Sequence, residues 1–234
     1  MTVTAPTAFT TPTSTFTSAA TIHPRLISFE GMEGVGKTTQ CQLLTDKLRD
    51  QGHQVTYVRE PGGVPISEQV RQVVLTPDNA RMDIRTEVLL FQAARAQLYA
   101  ELVLPSLEGG HWVIMDRTRD SSTVYQGVMR QVGVDRIEQL NDFSTRQTLP
   151  SLTLLLDVPA EVGAERLQRQ GDLDRIEQEG IGVQRQVRQG YLEMADRDST
   201  GRWHLIDGTQ PIEVVEKQVW QIFVDRFPDA KLGD

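Results

Sequence analysis

The stretch Gly31-Met32-Glu33-Gly34-Val35-Gly36-Lys37-Thr38 constrains this chain more than any other. It reads G-x-x-x-x-G-K-T, a spacing that curls the backbone until successive N–H groups point inward at an anion. Before it, Arg25-Leu26-Ile27-Ser28-Phe29-Glu30 is a short apolar run that suits a buried parallel strand. After it, Leu43, Leu44 and Leu48 recur on one face of a helical pattern. That helix adds the positive end of its dipole to the loop. Within the loop Lys37 can reach outer phosphates and Thr38 can hold Mg²⁺. The spacing alone also arises in ordinary glycine turns. The flanking strand and helix decide for a nucleoside triphosphate site formed by Gly31, Met32, Glu33, Gly34, Val35, Gly36, Lys37 and Thr38.

A chain of 234 residues is long enough for one α/β domain with a sizeable core, or at most two small ones. Its net charge of −8 argues against DNA or an acidic membrane surface as partner. No apolar run approaches a membrane span. Cys41 is the single cysteine, so no internal disulfide can form, which fits a reducing, cytoplasmic setting. One turn into the helix after the loop, it reads as a small buried side chain. Residues 1–21 hold no charged residue and are mostly Thr, Ser, Ala and Pro. Phe9 and Phe16 cannot build a core there, so a disordered tail is expected. A transit peptide would be rich in Arg, and this stretch has none. The folded domain is expected from about Ile22 to residue 230.

Further strands are expected at residues 54–59, 111–116, 152–158 and 203–207, with helices between them. Ser67 is expected to cap the helix that follows Glu60-Pro61-Gly62-Gly63. One long helical pattern covers 86–107, and shorter ones cover 122–130, 135–147 and 160–170. Alternating strands and helices predict a five-stranded parallel sheet flanked by helices, a three-layer fold of the P-loop NTPase type. Such sheets bind ligands beyond the carboxyl ends of their strands, which makes Glu30, Arg59 and Asp116 informative.

Three groups of charged residues should converge there. Asp116 closes an apolar strand, where a P-loop protein keeps the carboxylate that helps hold Mg²⁺; alone it would read as a turn cap. Arg95 follows Phe91 by four residues, so ring and guanidinium share a helix face. A flat ring and a flat donor fork suit a nucleobase, although such a pair is more often core plus surface. Arg166, Arg169 and Arg175 flank Gly171 in a charge-dense segment. That segment is either a solvated face or a mobile lid, about 166–182, that closes on phosphates.

Taken together, five motifs resemble the thymidylate kinases of the bacterial type with an arginine-bearing lid. They are Phe29–Thr39, Arg59-Glu60-Pro61-Gly62-Gly63, Phe91-Gln92-Ala93-Ala94-Arg95, Asp116-Arg117 with Ser121–Gly127, and Asp172-Leu173-Asp174-Arg175-Ile176-Glu177. The resemblance spans about Leu26 to Phe223. It implies that Glu33 faces the acceptor's sugar and phosphate, and that Arg71 and Arg117 grip that phosphate. It further implies that Phe91 stacks on thymine, Arg95 donates to its O4, Ser122 faces its Watson–Crick edge, and Tyr125 crowds the 2′ position. Gln126 belongs to the same acceptor motif. With Val35 rather than arginine in the loop, transition-state charge falls to Arg166, Arg169 and Arg175. Thr118 stands where the family has an aromatic residue or histidine, and Val124 where it has alanine. A homodimer is also implied.

The expected reaction is ATP plus dTMP giving ADP and dTDP, with Mg²⁺ and no general base. A kinase of another monophosphate or of a deoxynucleoside is the nearest alternative; the latter would need Glu33 or Glu30 as base. A GTP switch lacks its Asn-Lys-x-Asp, and a non-catalytic nucleotide-binding module would lack the intact lid.

Overall fold

The computed structural model describes residues 20–169, 171 and 173–230. The expected tail, as far as residue 19, lies outside the described residues, as do Gln170 and Asp172 of the expected lid. Along the chain run β1 (Thr21–Glu30), α1 (Lys37–Asp50), β2 (Val55–Arg59), α2 (Pro65–Leu75), α3 (Ile84–Leu98), α4 (Leu104–Glu108) and β3 (Trp112–Asp116). Then come α5 (Arg119–Ser122), α6 (Val134–Ser144), β4 (Thr148–Asp157), α7 (Ala160–Gln168), α8 (Ile181–Asp196), β5 (Trp203–Asp207) and α9 (Ile212–Arg226). The five strands form one parallel sheet in the order β2-β3-β1-β4-β5. This is the α/β architecture expected from the alternation.

Helices cover both faces, which is why β1 buries successive apolar residues toward both, Leu26 into one core and Ile27 and Phe29 into the other. Every residue of β3 is buried. On one face Leu26, Val58, Val113 and Met115 pack with Leu98 of α3 and with Tyr99 and Val103 beyond it. The other core gathers Ile27, Ile114, Leu154 and Leu156 with Leu44 and Leu48 of α1 and Val215, Val219 and Phe223 of α9. Cys41 is buried in the second of these cores, as expected.

Several boundaries differ from the sequence expectation. The 86–107 pattern is one path but three windings: α3, a π-helical stretch Tyr99–Val103, then α4. Pro105 has no N–H for the carbonyl four residues back, and the wider turns precede it. The 122–130 pattern likewise becomes α5 and a π-helical stretch, Thr123–Met129. The helix expected over 135–147 stops at Ser144. Arg146 and Gln147 take φ of 49° and 61° and turn the chain into β4, which starts at Thr148 rather than at residue 152. Ser67 is not a cap. Pro65 opens α2 after Val64, and the buried Ser67 hydroxyl donates to the Ala94 carbonyl at 2.7 Å, tying α2 to α3.

The phosphate-binding loop is seated on α7 backbone against backbone. Gly34 has φ of 73°, and a Cβ there would lie 2.3 Å from the carbonyl oxygen of Gly163. Only glycine satisfies both the backbone angle and the space. Gly34→Ala should therefore cost about 2–4 kcal/mol through strain and overpacking. That corresponds to a fall in Tm of roughly 5–10 °C for a domain of this size, read by thermal denaturation.

Candidate active site

In a parallel sheet the carboxyl ends share one edge, and the register sets Asp116 of β3 beside Phe29 of β1 and Arg59 of β2. The phosphate-binding loop leaves β1 at Glu30 and enters α1 at Lys37, over the same edge. A cleft of about 280 Å³ opens there. Its lining includes Glu33, Gly34, Gly36, Lys37, Thr38 and Asp116 together with Arg71, Phe91, Arg95, Arg117, Ser122, Tyr125 and Gln126. Gly31, Met32 and Val35 complete the loop outside that lining, with Met32 and Val35 turned into the core.

Thr38 Oγ1 donates to Asp116 Oδ2 at 2.5 Å, which brings a hydroxyl and a carboxylate oxygen to one point. Hard divalent cations take such oxygen donors, and Mg²⁺ uses few protein ligands because it keeps water and substrate phosphates. The pair fits that ion. Among the described residues no cluster of three or more His, Cys, Asp or Glu offers a metal site. Lys37 is buried, and its Nζ donates to the carbonyls of Met32 at 2.7 Å and Gly31 at 3.2 Å. Burial, helped by the nearby Arg117 charge, brings its pKa down to about 8.

Arg117 is the hub. It follows β3 with φ of 72°, a left-handed conformation that costs a non-glycine residue about 1–3 kcal/mol. Its backbone N–H donates to the Phe29 carbonyl at 3.0 Å. From there Nη1 reaches the Gly31 carbonyl at 3.0 Å and the hydroxyls of Ser121 and Tyr191, each at 3.1 Å. Nη2 donates to Glu33 Oε1 at 3.0 Å and lies 3.4 Å from the Tyr125 hydroxyl. The same Glu33 oxygen accepts from Tyr125 at 2.6 Å. Burial resists the Glu33 charge, but Arg117, Lys37 and the Tyr125 hydroxyl overcome it and hold the carboxyl below its ordinary range.

Glu30 is fully buried and accepts four hydrogen bonds. Thr118 donates to Oε1 through its backbone at 2.8 Å and its hydroxyl at 2.9 Å. Ser121 and Tyr191 donate to Oε2 at 2.7 and 2.9 Å. Burial and the neighbouring Asp120 outweigh Arg117 and these hydroxyls, raising its pKa to about 7.

Across the cleft, Phe91 and Arg95 project from adjoining turns of α3. Arg95 is 2 % exposed and makes four hydrogen bonds. Its Nε donates to Glu60 Oε2 at 2.7 Å, Nη1 to Asn141 Oδ1 at 2.9 Å, and Nη2 to Ser122 Oγ at 3.0 Å and the Thr118 carbonyl at 3.2 Å. Gln126 Nε2 donates to Glu87 at 3.0 Å, and Arg71 Nη1 to the Pro61 carbonyl at 2.8 Å.

A nucleotide loop facing a ring-and-arginine pocket is matched by comparison with known proteins. Residues 29–219 fit the family model described as thymidylate kinase. The chain belongs to the thymidylate kinase family. It is 44 % identical to the thymidylate kinase of Anoxybacillus flavithermus over 197 residues, 83 % of this chain and 94 % of that one. It is 40 % identical to that of Enterococcus faecalis over 206 residues, 87 % and 97 % of the two chains. The crystal structure of thymidylate kinase from Ehrlichia chaffeensis superposes with a TM-score of 0.67 at 30 % identity, covering 85 % of this chain and 97 % of that one.

Two features stand out within this thymidylate kinase framework. Thr118, a departure from the family pattern, donates twice to Glu30 and so keeps its place within the buried network. The three lid arginines do not line the cleft among the described residues. Arg166 donates to the Gly208 carbonyl at 3.0 Å, and the exposed Arg169 to Glu165 at 2.5 Å. Arg175 is buried, pairing with Glu87 at 2.7 Å and donating from Nε to the Val74 carbonyl at 2.9 Å. Instead Asp174, Ile176 and Glu177 of the same segment face the cleft. Asn141 and Tyr191 escaped the sequence reading, and Glu60 was read only as part of the Arg59–Gly63 motif, without its bond to Arg95. Asn141 and Tyr191 carried one signal, a polar atom at a buried position of an amphipathic helix.

Glu30 makes the site's pH behaviour testable. Below its ordinary value of 4.5 it is protonated whether or not the chain is folded. Between there and about 7 only the folded chain keeps the proton, so the stability Glu30 contributes is present in acid and lost as pH rises through about 7. Glu30→Gln cannot titrate. The stability of the parent relative to this variant should therefore fall between about pH 5 and about pH 8 in urea denaturation. A difference that stays level, or grows, would contradict the assignment.

Proposed function

We propose that this chain transfers the γ-phosphoryl group of ATP to dTMP, giving ADP and dTDP. What carries the proposal is the convergence, in one cleft, of a triphosphate loop with an arginine held by Glu33 and Tyr125 and with the ring of Phe91 and the guanidinium of Arg95. The acceptor's phosphate has a second pKa of about 6, so near neutrality its oxygen is already a dianionic nucleophile. That oxygen attacks Pγ, the bond from Pγ to the bridging oxygen breaks, and ADP leaves with the electron pair. No residue needs to remove a proton.

The obstacle is repulsion between anions, so the protein acts by positioning and by charge. Loop N–H groups and Lys37 take the donor phosphates; Arg117 and Arg71 take the acceptor phosphate. Glu33 does not repel the substrate, because its charge is balanced by Arg117 and it meets the sugar hydroxyl. Tyr125, hydrogen-bonded to Glu33, closes the 2′ side. Phe91 stacks on the base, and Arg95, Ser122 and Gln126 meet its edge. Mg²⁺, which Thr38 and Asp116 would hold, would offset charge on the donor phosphates. Arg175 is committed to Glu87, so Arg166 and Arg169 are the lid arginines proposed to supply charge on closure. A nucleoside kinase would need a free carboxylate base; Glu30 has four donors on it and Glu33 is paired.

A cytoplasmic setting accords with the single, buried cysteine, and no described helix is long and apolar enough to cross a membrane. A homodimer accords with Ile66 and Val73 of α2 and Leu89 of α3, which are 52 %, 47 % and 60 % exposed on two helices that pack together. Leu89→Glu should shift the sedimenting species to a monomer; an unchanged mass would count against this face.

The activity is tested by ADP release with Mg-ATP and, in turn, dTMP, dUMP, dCMP, UMP, AMP and thymidine. Strong turnover with dTMP, weak with dUMP and none with thymidine is expected. Lys37→Ala should lower kcat at least about 100-fold with an unchanged circular dichroism spectrum. Preference for another monophosphate would overturn the base assignment.

A further inference from the structure

Asn141 lies on α6, is fully buried, and does not line the cleft. Its amide uses every hydrogen-bonding position it has. Oδ1 accepts from Gln92 Nε2 at 2.8 Å and from Arg95 Nη1 at 2.9 Å. Nδ2 donates to the Arg119 carbonyl at 3.0 Å and to Thr123 Oγ1 at 3.1 Å. The two partners of the oxygen are nitrogen donors, and the two partners of the nitrogen are oxygens. Turning the amide over would break the bonds to Gln92, Arg95 and the Arg119 carbonyl. Gln92 is held in turn, since its Oε1 accepts from Ser144 Oγ at 2.7 Å. The result is a rigid acceptor aimed at one N–H of one guanidinium.

A guanidinium has five N–H donors in one plane. In Arg95 the Nε donor goes to Glu60, both Nη2 donors go to Ser122 and the Thr118 carbonyl, and one Nη1 donor goes to Asn141. One N–H on Nη1 remains, and Arg95 lines the cleft. We propose that Asn141 is the positioning residue for base selection. By taking one Nη1 donor it leaves Arg95 a single N–H of set direction, which selects a pyrimidine with a carbonyl at C4 over one with an amino group there. The carbonyl accepts that N–H, whereas the amino group meets it donor to donor. The proposal rests on Arg95 reading the base and adds what aims it.

The test is the ratio of kcat/KM for dTMP over dCMP, with calorimetric binding constants where dCMP turnover is too slow. It is measured on the parent, Asn141→Ala, Asn141→Ser, Asn141→Asp and Arg95→Lys after circular dichroism has established which variants fold. Without the amide oxygen the guanidinium, still held by Glu60, Ser122 and the Thr118 carbonyl, loses its Nη1 anchor and presents two unpaired N–H groups in place of one. In the Ala and Ser variants the ratio should drop about tenfold, through KM for dTMP, while the dCMP value holds. Asn141→Ser carries the test if the Ala variant does not fold. Asn141→Asp keeps the acceptor and should keep the ratio within about twofold. Parallel losses on both substrates would make Asn141 a structural support only and overturn the proposal, as would a folded Asp variant that loses the ratio. Arg95→Lys separates the two layers. If lysine leaves the ratio unchanged, Arg95 does not read the base. If lysine collapses the ratio and serine at 141 does not, only the role of Asn141 falls.

Discussion

The cleft depends on an ion pair, Arg117 with Glu33, largely withdrawn from water at the carboxyl edge of the sheet. Taking two charges out of water is costly, and their attraction offsets that cost only when the remaining donors and acceptors are also met. Here they are: the guanidinium has the Gly31 carbonyl and the Ser121 and Tyr191 hydroxyls, and the carboxylate has Tyr125. Because Gly31 and Glu33 belong to the phosphate-binding loop and Arg117 to the end of β3, the same contacts hold loop and strand in register. They also hold Arg117 in a left-handed conformation that its own backbone would not favour. Charge balance and loop geometry are thus a single constraint.

Lys37 sits inside the same balance. Its donors rest on the carbonyls of Gly31 and Met32, so the loop offers its cation and its N–H groups from one compact turn. With Glu33 and Asp116 nearby, the positive charges of Lys37 and Arg117 tolerate each other at close quarters. Removing either carboxylate would leave cations facing one another in a largely buried site.

The architecture was legible in the sequence because its signals are local. Glycine spacing around Lys37, apolar runs such as Trp112-Val113-Ile114-Met115 and the alternation of elements need no knowledge of contacts. Element ends were less legible where one residue acts at a distance. Pro105 widens the winding before it, and Arg146 and Gln147 turn the chain by adopting φ values that nothing in their chemistry announces. The site was legible where residues sit in contiguous motifs, as with Asp116-Arg117 and Phe91 to Arg95. It was not legible where partners meet only through folding: Asn141 is 46 residues from Arg95, and Tyr191 is 161 from Glu30. Arg175 is the instructive case. Its motif suggested a phosphate-facing group, yet a buried carboxylate, Glu87, holds it. No pattern along the chain distinguishes an arginine aimed at a ligand from one that balances a carboxylate.

That anchoring of Arg175 sets a leash length. Ordered helix ends at Gln168, and the chain is tied down again at Arg175 through Val74, Leu75 and Glu87. Only six residues, 169 to 174, span the gap between these posts. Fully extended, six residues reach about 20 Å. Arg169 at one end is held by Glu165, and Arg175 at the other by Glu87. The far post, Glu87, stands on the helix that carries Phe91 and Arg95, so the reach of this segment is measured from the same helix that lines the cleft.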